Sequence, residues 1–152
     1  MVEATNTWQQ DSQGLYSEHR ELIERLAELD RALEGLICYS EVYADLAGVQ
    51  RARETAQWLT GRLAEHFLRE EQGVFAALRQ LGPEDDAFAR EMQRQHREID
   101  LQMESFRKAA ESFVEAVDLQ QSIGELQVAG KSLGAFMAAH MGAEERKYAG
   151  LR

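Results

Sequence analysis

Apolar residues recur along this chain in alternating steps of three and four, the spacing that gathers one face of a helix against a core. A first stripe runs Leu15, His19, Leu22, Leu26, Leu29, Leu33 and Leu36; a second runs Ala52, Ala56, Leu59, Leu63, His66 and Glu70, with Val74 and Ala77 continuing it. A third runs Phe88, Met92, His96, Ile99, Met103, Phe106, Ala110, Phe113 and Val117, and a fourth runs Leu126, Gly130, Leu133, Met137, His140, Glu144, Tyr148 and Leu151. The pattern predicts four long helices, the first capped at Asp11 or Ser12. Residues 1–12, Trp8 among them, lie outside it and are expected to form an N-terminal arm ahead of one domain over 13–152. The sharpest break is Leu81-Gly82-Pro83, where Gly suits a helix end and Pro83 followed by Glu84, Asp85 and Asp86 suits the next start. Looser connections are expected near Tyr39–Asp45 and Asp118–Ser122. Short links between long helices make neighbours antiparallel, so the expected architecture is an all-α, up-down-up-down four-helix bundle.

Composition narrows this further. A chain of 152 residues fits one domain with a proper core, and a single Pro with 44% apolar residues favours helix. The formal net charge is −10 with no Lys/Arg cluster, so nucleic acid is not an expected partner. No run approaches the ~20 apolar residues of a membrane span, and the polar stretch from Met1 to Gly14 has no apolar leader core. A cytoplasmic protein without a membrane partner is expected. Cys38 is the only cysteine, which excludes an internal disulfide and reads as a quiet, half-buried thiol.

Six stripe positions break the apolar rule: His19, His66, Glu70, His96, His140 and Glu144. The four histidines are all the chain has, and each falls on the inward face of a different predicted helix. An unpaired buried carboxylate costs several kcal/mol, and this core would hold two. A divalent or trivalent cation supplies the missing charge. Residues four apart share a helical face, so His66 with Glu70, and His140 with Glu144, can reach one site each. Height along the bundle agrees. His66 and His96 are centred on residue 81, His96 and His140 on Asp118, and His19 and His66 between Val42 and Tyr43. Each midpoint is a predicted connection, which puts all four imidazoles at one level. His19 precedes a His-x-x-x-Glu-Glu run by 47 residues and His96 precedes a second copy by 44, so each half reads as one hairpin giving two His and one Glu.

The order His19, His66-x-x-x-Glu70, His96, His140-x-x-x-Glu144 resembles the hemerythrin-like, His-His-Glu cation-binding family, from about His19 to Tyr148. The resemblance implies a hemerythrin-like bundle with two iron ions in a non-haem di-iron centre, Glu70 and Glu144 bridging and the histidines as terminal ligands. Other divalent metals remain compatible with such donors. It also implies a small gaseous or peroxide partner, with a role as sensor, scavenger or carrier. Iron handling or iron–sulfur repair is an alternative, as is a structural bundle holding a non-iron metal. Oxygen-carrying members have five histidines, two of them four residues apart on the third helix; here Met92 and Asp100 flank His96 at that distance. Asp100 reads either as a replacement oxygen ligand or as a residue outside the ligand set. The carriers' Asp five residues after the last His is Glu145 here, so Glu144 or Glu145 can be the ligand, with Glu144 favoured by its match to Glu70. Tyr16 and Tyr148, about one turn from ligands, either hydrogen-bond the site or cap the core. Ferritin-like Glu-x-x-His pairs are absent, since Tyr16, Leu63, Gln93 and Met137 precede the histidines by three. There is no His-Glu-x-x-His, Cys-x-x-Cys or phosphate-cradling Gly loop.

Overall fold

The computed structural model describes residues 2–37, 46–112 and 119–151, with side chains over 13–36, 47–112 and 121–151. Four long helices, α1 (Val2–Ile37), α2 (Leu46–Gln72), α4 (Pro83–Ser112) and α5 (Leu119–Ala149), are joined by one short helix, α3 (Val74–Leu78). In cross-section, α1 packs on α2 and α5, and α4 packs on the same two, so α1 faces α4 across the diagonal. No strand occurs among the described residues, and no described helix is long and apolar enough to cross a membrane.

The stripes become the core. Leu15, Leu22, Leu26, Leu29, Leu33 and Leu36 are buried on α1, and Ala52, Ala56, Leu59 and Leu63 on α2. On α4 the buried set is Met92, Ile99, Met103, Phe106 and Ala110, with Ala89 in place of the half-buried Phe88. On α5 it is Leu126, Gly130, Leu133, Met137 and Tyr148, joined by Met141. Leu151 is exposed, beyond the end of α5. Two apolar clusters result, a long one from Leu22 and Phe67 to Leu126, and a short one of Leu15, Val74, Phe75, Leu78, Ala89, Met92 and Tyr148. The six polar stripe positions lie where the two clusters meet, with Phe67 and Met141 of the long cluster reaching in among them.

The helix ends depart from expectation in three places. The first helix starts at Val2, so Asp11 and Ser12 lie inside it rather than capping it, and the stretch expected as an arm is helical from Val2 on. Leu119–Ser122, expected as part of a connection, is the start of α5. The second stripe does not continue unbroken through Val74 and Ala77. At Gly73 the chain leaves the helix (φ −101°, ψ −92°) and restarts as α3, which turns Phe75 and Leu78 inward and leaves Ala77 half-buried. A Cβ at Gly73 would meet the Arg69 carbonyl oxygen at 2.8 Å, so this break needs a residue without one. The Gly82-Pro83 start is as expected, with Glu84, Asp85 and Asp86 in the first turn of α4. Cys38, the Tyr39–Asp45 connection, Phe113, Val117 and Asp118 lie outside the described residues, as does the Trp8 side chain.

Candidate metal centre

Because the four histidines occupy stripe positions on four antiparallel helices, the bundle brings them to one level. His19, His66, His96 and His140 are each at most 2% exposed, and Glu70 and Glu144 are fully buried. The ring centroids of His19 and His66 lie 4.7 Å apart at 66°, and those of His96 and His140 lie 4.9 Å apart at 67°, so the two hairpins pose their imidazoles almost identically.

Orientation comes from a ring of acceptors outside the imidazoles. Glu18 Oε2 lies 2.6 Å from His66 Nδ1, Glu71 Oε1 2.8 Å from His96 Nδ1, Gln95 Oε1 2.9 Å from His140 Nδ1, and Glu145 Oε1 3.3 Å from His19 Nδ1. Carboxylate and amide oxygens only accept, so each Nδ1–H donates outward and each Nε2 turns inward. There the Nε2 atoms meet the two carboxylates. Glu70 Oε1 is 3.3 Å from His66 and 3.5 Å from His19, while its Oε2 is 3.2 Å from His96. Glu144 Oε2 is 3.3 Å from His19, while its Oε1 is 2.9 Å from His140 and 3.5 Å from His96. Each carboxylate thus turns one oxygen toward each hairpin's pair of histidines.

Two donor sets follow. His19, His66, Glu70 and Glu144 form one, and Glu70, His96, His140 and Glu144 form the other, with the donor atoms of each set within 4.8 Å of one another. The donors do not satisfy each other. Glu70 Oε2, both oxygens of Glu144, His96 Nε2 and His140 Nε2 are buried without a hydrogen bond, and the Nε2 atoms of His19 and His66 face each other at 3.0 Å. Such groups are expensive to bury unless something bonds them, and nitrogen–oxygen sets of this kind suit a transition-metal ion. The residues present therefore fit a metal. Protons feel the same pull. Burial lowers His19 and His96, but the facing Glu144 and Glu70 outweigh it and raise them to about 10 and about 9. Burial pushes Glu70 up, yet the imidazoles of His19, His66 and His96 hold it well below the usual carboxylate range.

The surroundings are apolar and aromatic. Phe67 stacks on His96 at 3.8 Å between centroids, and Phe75 lies on the same imidazole at 5.3 Å. The Tyr148 hydroxyl donates to Glu70 Oε1 at 2.9 Å, the site-facing one of its two expected roles, whereas Tyr16 donates to the Glu145 carbonyl at 3.4 Å. Met92, Met103 and Met137 are buried as packing.

All six sequence-derived candidates converge. Of the paired glutamates on α5, Glu144 points inward at 0% exposure and Glu145 sits outside His19 at 41%. Asp100 is exposed and belongs to neither donor set. Glu18, Glu71 and Gln95 were not foreseen in their orienting role, although the second Glu of each His-x-x-x-Glu-Glu run was a visible signal for Glu71 and Glu145.

A family model described as the hemerythrin HHE cation binding domain matches residues 11–151. No curated protein and no solved structure gives a significant match.

Proposed function

Because the chain belongs to the hemerythrin HHE cation-binding domain family, we propose that it holds two iron ions between its helices and binds or reacts with a small ligand. Dioxygen, nitric oxide and hydrogen peroxide are the ligand class, and sensor, scavenger or carrier the class of role. The observation that carries this reading is the pair of buried donor sets sharing both carboxylates. His19 and His66 would serve one ion, His96 and His140 the other, with Glu70 and Glu144 offering an oxygen to each. When bound, an iron pair supplies a redox-active Lewis acid for such ligands. Each set offers four donor residues, so an ion that takes more than four ligands would have room for an added one.

The chain's own contribution is orientation and dryness. Glu18, Glu71, Gln95 and Glu145 fix the ring planes so that Nε2 is the atom presented. Phe67 and Phe75 cover His96 and keep bulk water from the second set.

Protein purified from iron-replete cells is expected to carry about two irons per chain, a ratio that follows from the two donor sets. A near-ultraviolet band from the ferric pair should respond to nitric oxide or peroxide. His66→Ala is expected to lose the iron and the band while keeping its helical circular dichroism. Protein that emerges without iron, or whose band ignores all three small molecules, defeats the proposal.

A further inference from the structure

The centre is built on an internal repeat, and among the residues that hydrogen-bond its histidines and carboxylates that repeat fails at two places. Seventy-four residues separate His66 from His140, Glu70 from Glu144 and Glu71 from Glu145, and seventy-seven separate His19 from His96. The contacts follow the same operation. Glu71 holds the first histidine of the other hairpin, His96, and Glu145 holds its counterpart, His19. The residue before each hairpin's first histidine holds that hairpin's second: Glu18 holds His66, and Gln95 holds His140. Carried through the repeat, Glu18 becomes Gln95, and Val74 becomes Tyr148. A carboxylate has become a neutral amide, and an apolar side chain has become a phenol.

Each break acts on a different donor set. Tyr148, 3% exposed, donates to Glu70 Oε1, the oxygen turned toward His19 and His66; Oε2, turned toward His96, has no hydrogen bond. On the other carboxylate, Val74 can offer no donor, and neither oxygen of Glu144 has one. Glu70 is therefore preset on one side only. Gln95 acts behind His140. A carboxylate behind an imidazole raises its donor strength and fixes its tautomer, and an amide oxygen fixes the tautomer with less charge. Glu18 carries that charge behind His66 at 2.6 Å, tempered by Arg69 at 2.7 Å on its other oxygen, a guanidinium that is 54% exposed and so screened by water.

We propose that these two residues make the ion positions chemically unequal, an inference that rests on the two-ion reading above. Tyr148 is a positioning residue for the His19–His66 position, through Glu70 Oε1. Gln95 sets the donor strength of the His96–His140 position, through His140 Nδ1.

Cobalt(II) added stepwise to chelated protein tests this, because its visible bands report the geometry at each ion. Wild-type protein is expected to fill in two steps with distinguishable spectra. Tyr148→Phe should weaken one step by about tenfold or more and shift the bands of that step alone. Gln95→Glu should tighten the other step and leave untouched the one that Tyr148→Phe moves. The second variant adds charge at the rim and removes no packed group. It gives up the Gln95 amide's bond to Glu91 and brings two carboxylates together, but Glu91 is exposed and paired with Arg94, so water and that guanidinium screen the repulsion. Two ions taken up with neither variant moving a step, or with both moving the same step, overturn the inference and leave the two-ion reading intact. A wild-type protein that takes up no cobalt and carries no iron overturns that reading and the inference with it.

Discussion

His19 and Glu70 share one buried layer and make opposite demands on the proton. His19 and His96 are raised above the ordinary imidazole value by Glu144 and Glu70, against the effect of burial. Their stabilising contribution is complete below about pH 6.5 and is lost as pH rises through about 9 to 10. Glu70 and Glu144 are lowered by the imidazoles, again against burial, so their contribution is present above about pH 4.5 and is lost as pH falls. Chelated protein should therefore be most resistant to denaturant between those two limits, and iron should remove the alkaline decline by taking the protons' place. A chelated protein whose denaturation midpoint is flat from pH 6 to 10 contradicts this. At this scale the sequence was legible wherever a polar residue interrupted an apolar stripe, because burial leaves so few explanations for one. It was opaque one residue away. Glu18 and Gln95 flank the stripe, where charged and amide side chains ordinarily face water, and nothing in spacing shows that their ends curl back onto an imidazole; for Glu71 the doubled glutamate was the one signal. Asp100 was left open by the sequence, because four residues from His96 is close along a helix; its side chain is exposed, the second of its two readings.

Between helices, small residues decide how closely the elements approach. A Cβ at Gly130 on α5 would stand 2.2 Å from Leu33 Cδ1 and 3.2 Å from Phe106 Cε2, and both of those side chains are fully buried. Gly134, one turn on, has nothing within 4 Å of its added Cβ. Overpacking costs about 1–3 kcal/mol, while Ala in place of Gly recovers up to about 1 kcal/mol of helix propensity. Gly130→Ala should accordingly destabilise the protein, and Gly134→Ala should stabilise it by about 0.5–1 kcal/mol, as denaturant titration will read. Equal responses at the two positions would remove the argument for a tight α1–α4–α5 contact. The helices themselves were legible, since long 3.6-residue periodicity has few rivals. The restart at Gly73 was not: Val74 and Ala77 keep the spacing, and only the close approach of the Arg69 carbonyl shows that the break there takes a residue without a Cβ. That restart matters, because it carries Phe75 onto His96.

The whole bundle encloses a polar layer between two apolar clusters, and its stability is tied to whatever neutralises that layer. A ligand held at a hundred times its dissociation constant adds about 2.7 kcal/mol. For a chain of this length, stripping iron with a strong chelator should lower the melting temperature by roughly 5–10 °C per ion. Calorimetry with and without chelator reads this directly, and coincident melts would mean that the layer needs no cation. The ring order of the helices was accessible from the sequence through short connections and shared midpoints, because antiparallel neighbours leave little else for equal heights to mean. One feature of that layer reaches past this chain. Each donor set takes both histidines from one hairpin and a glutamate from each, and each hairpin's outer glutamate reaches across to the other. Neither half can complete a site alone, yet two identical halves can complete both. Two half-length copies paired about a twofold axis would therefore hold the entire centre between them, whereas joining the halves in one chain lets Val74 and Tyr148, or Glu18 and Gln95, differ.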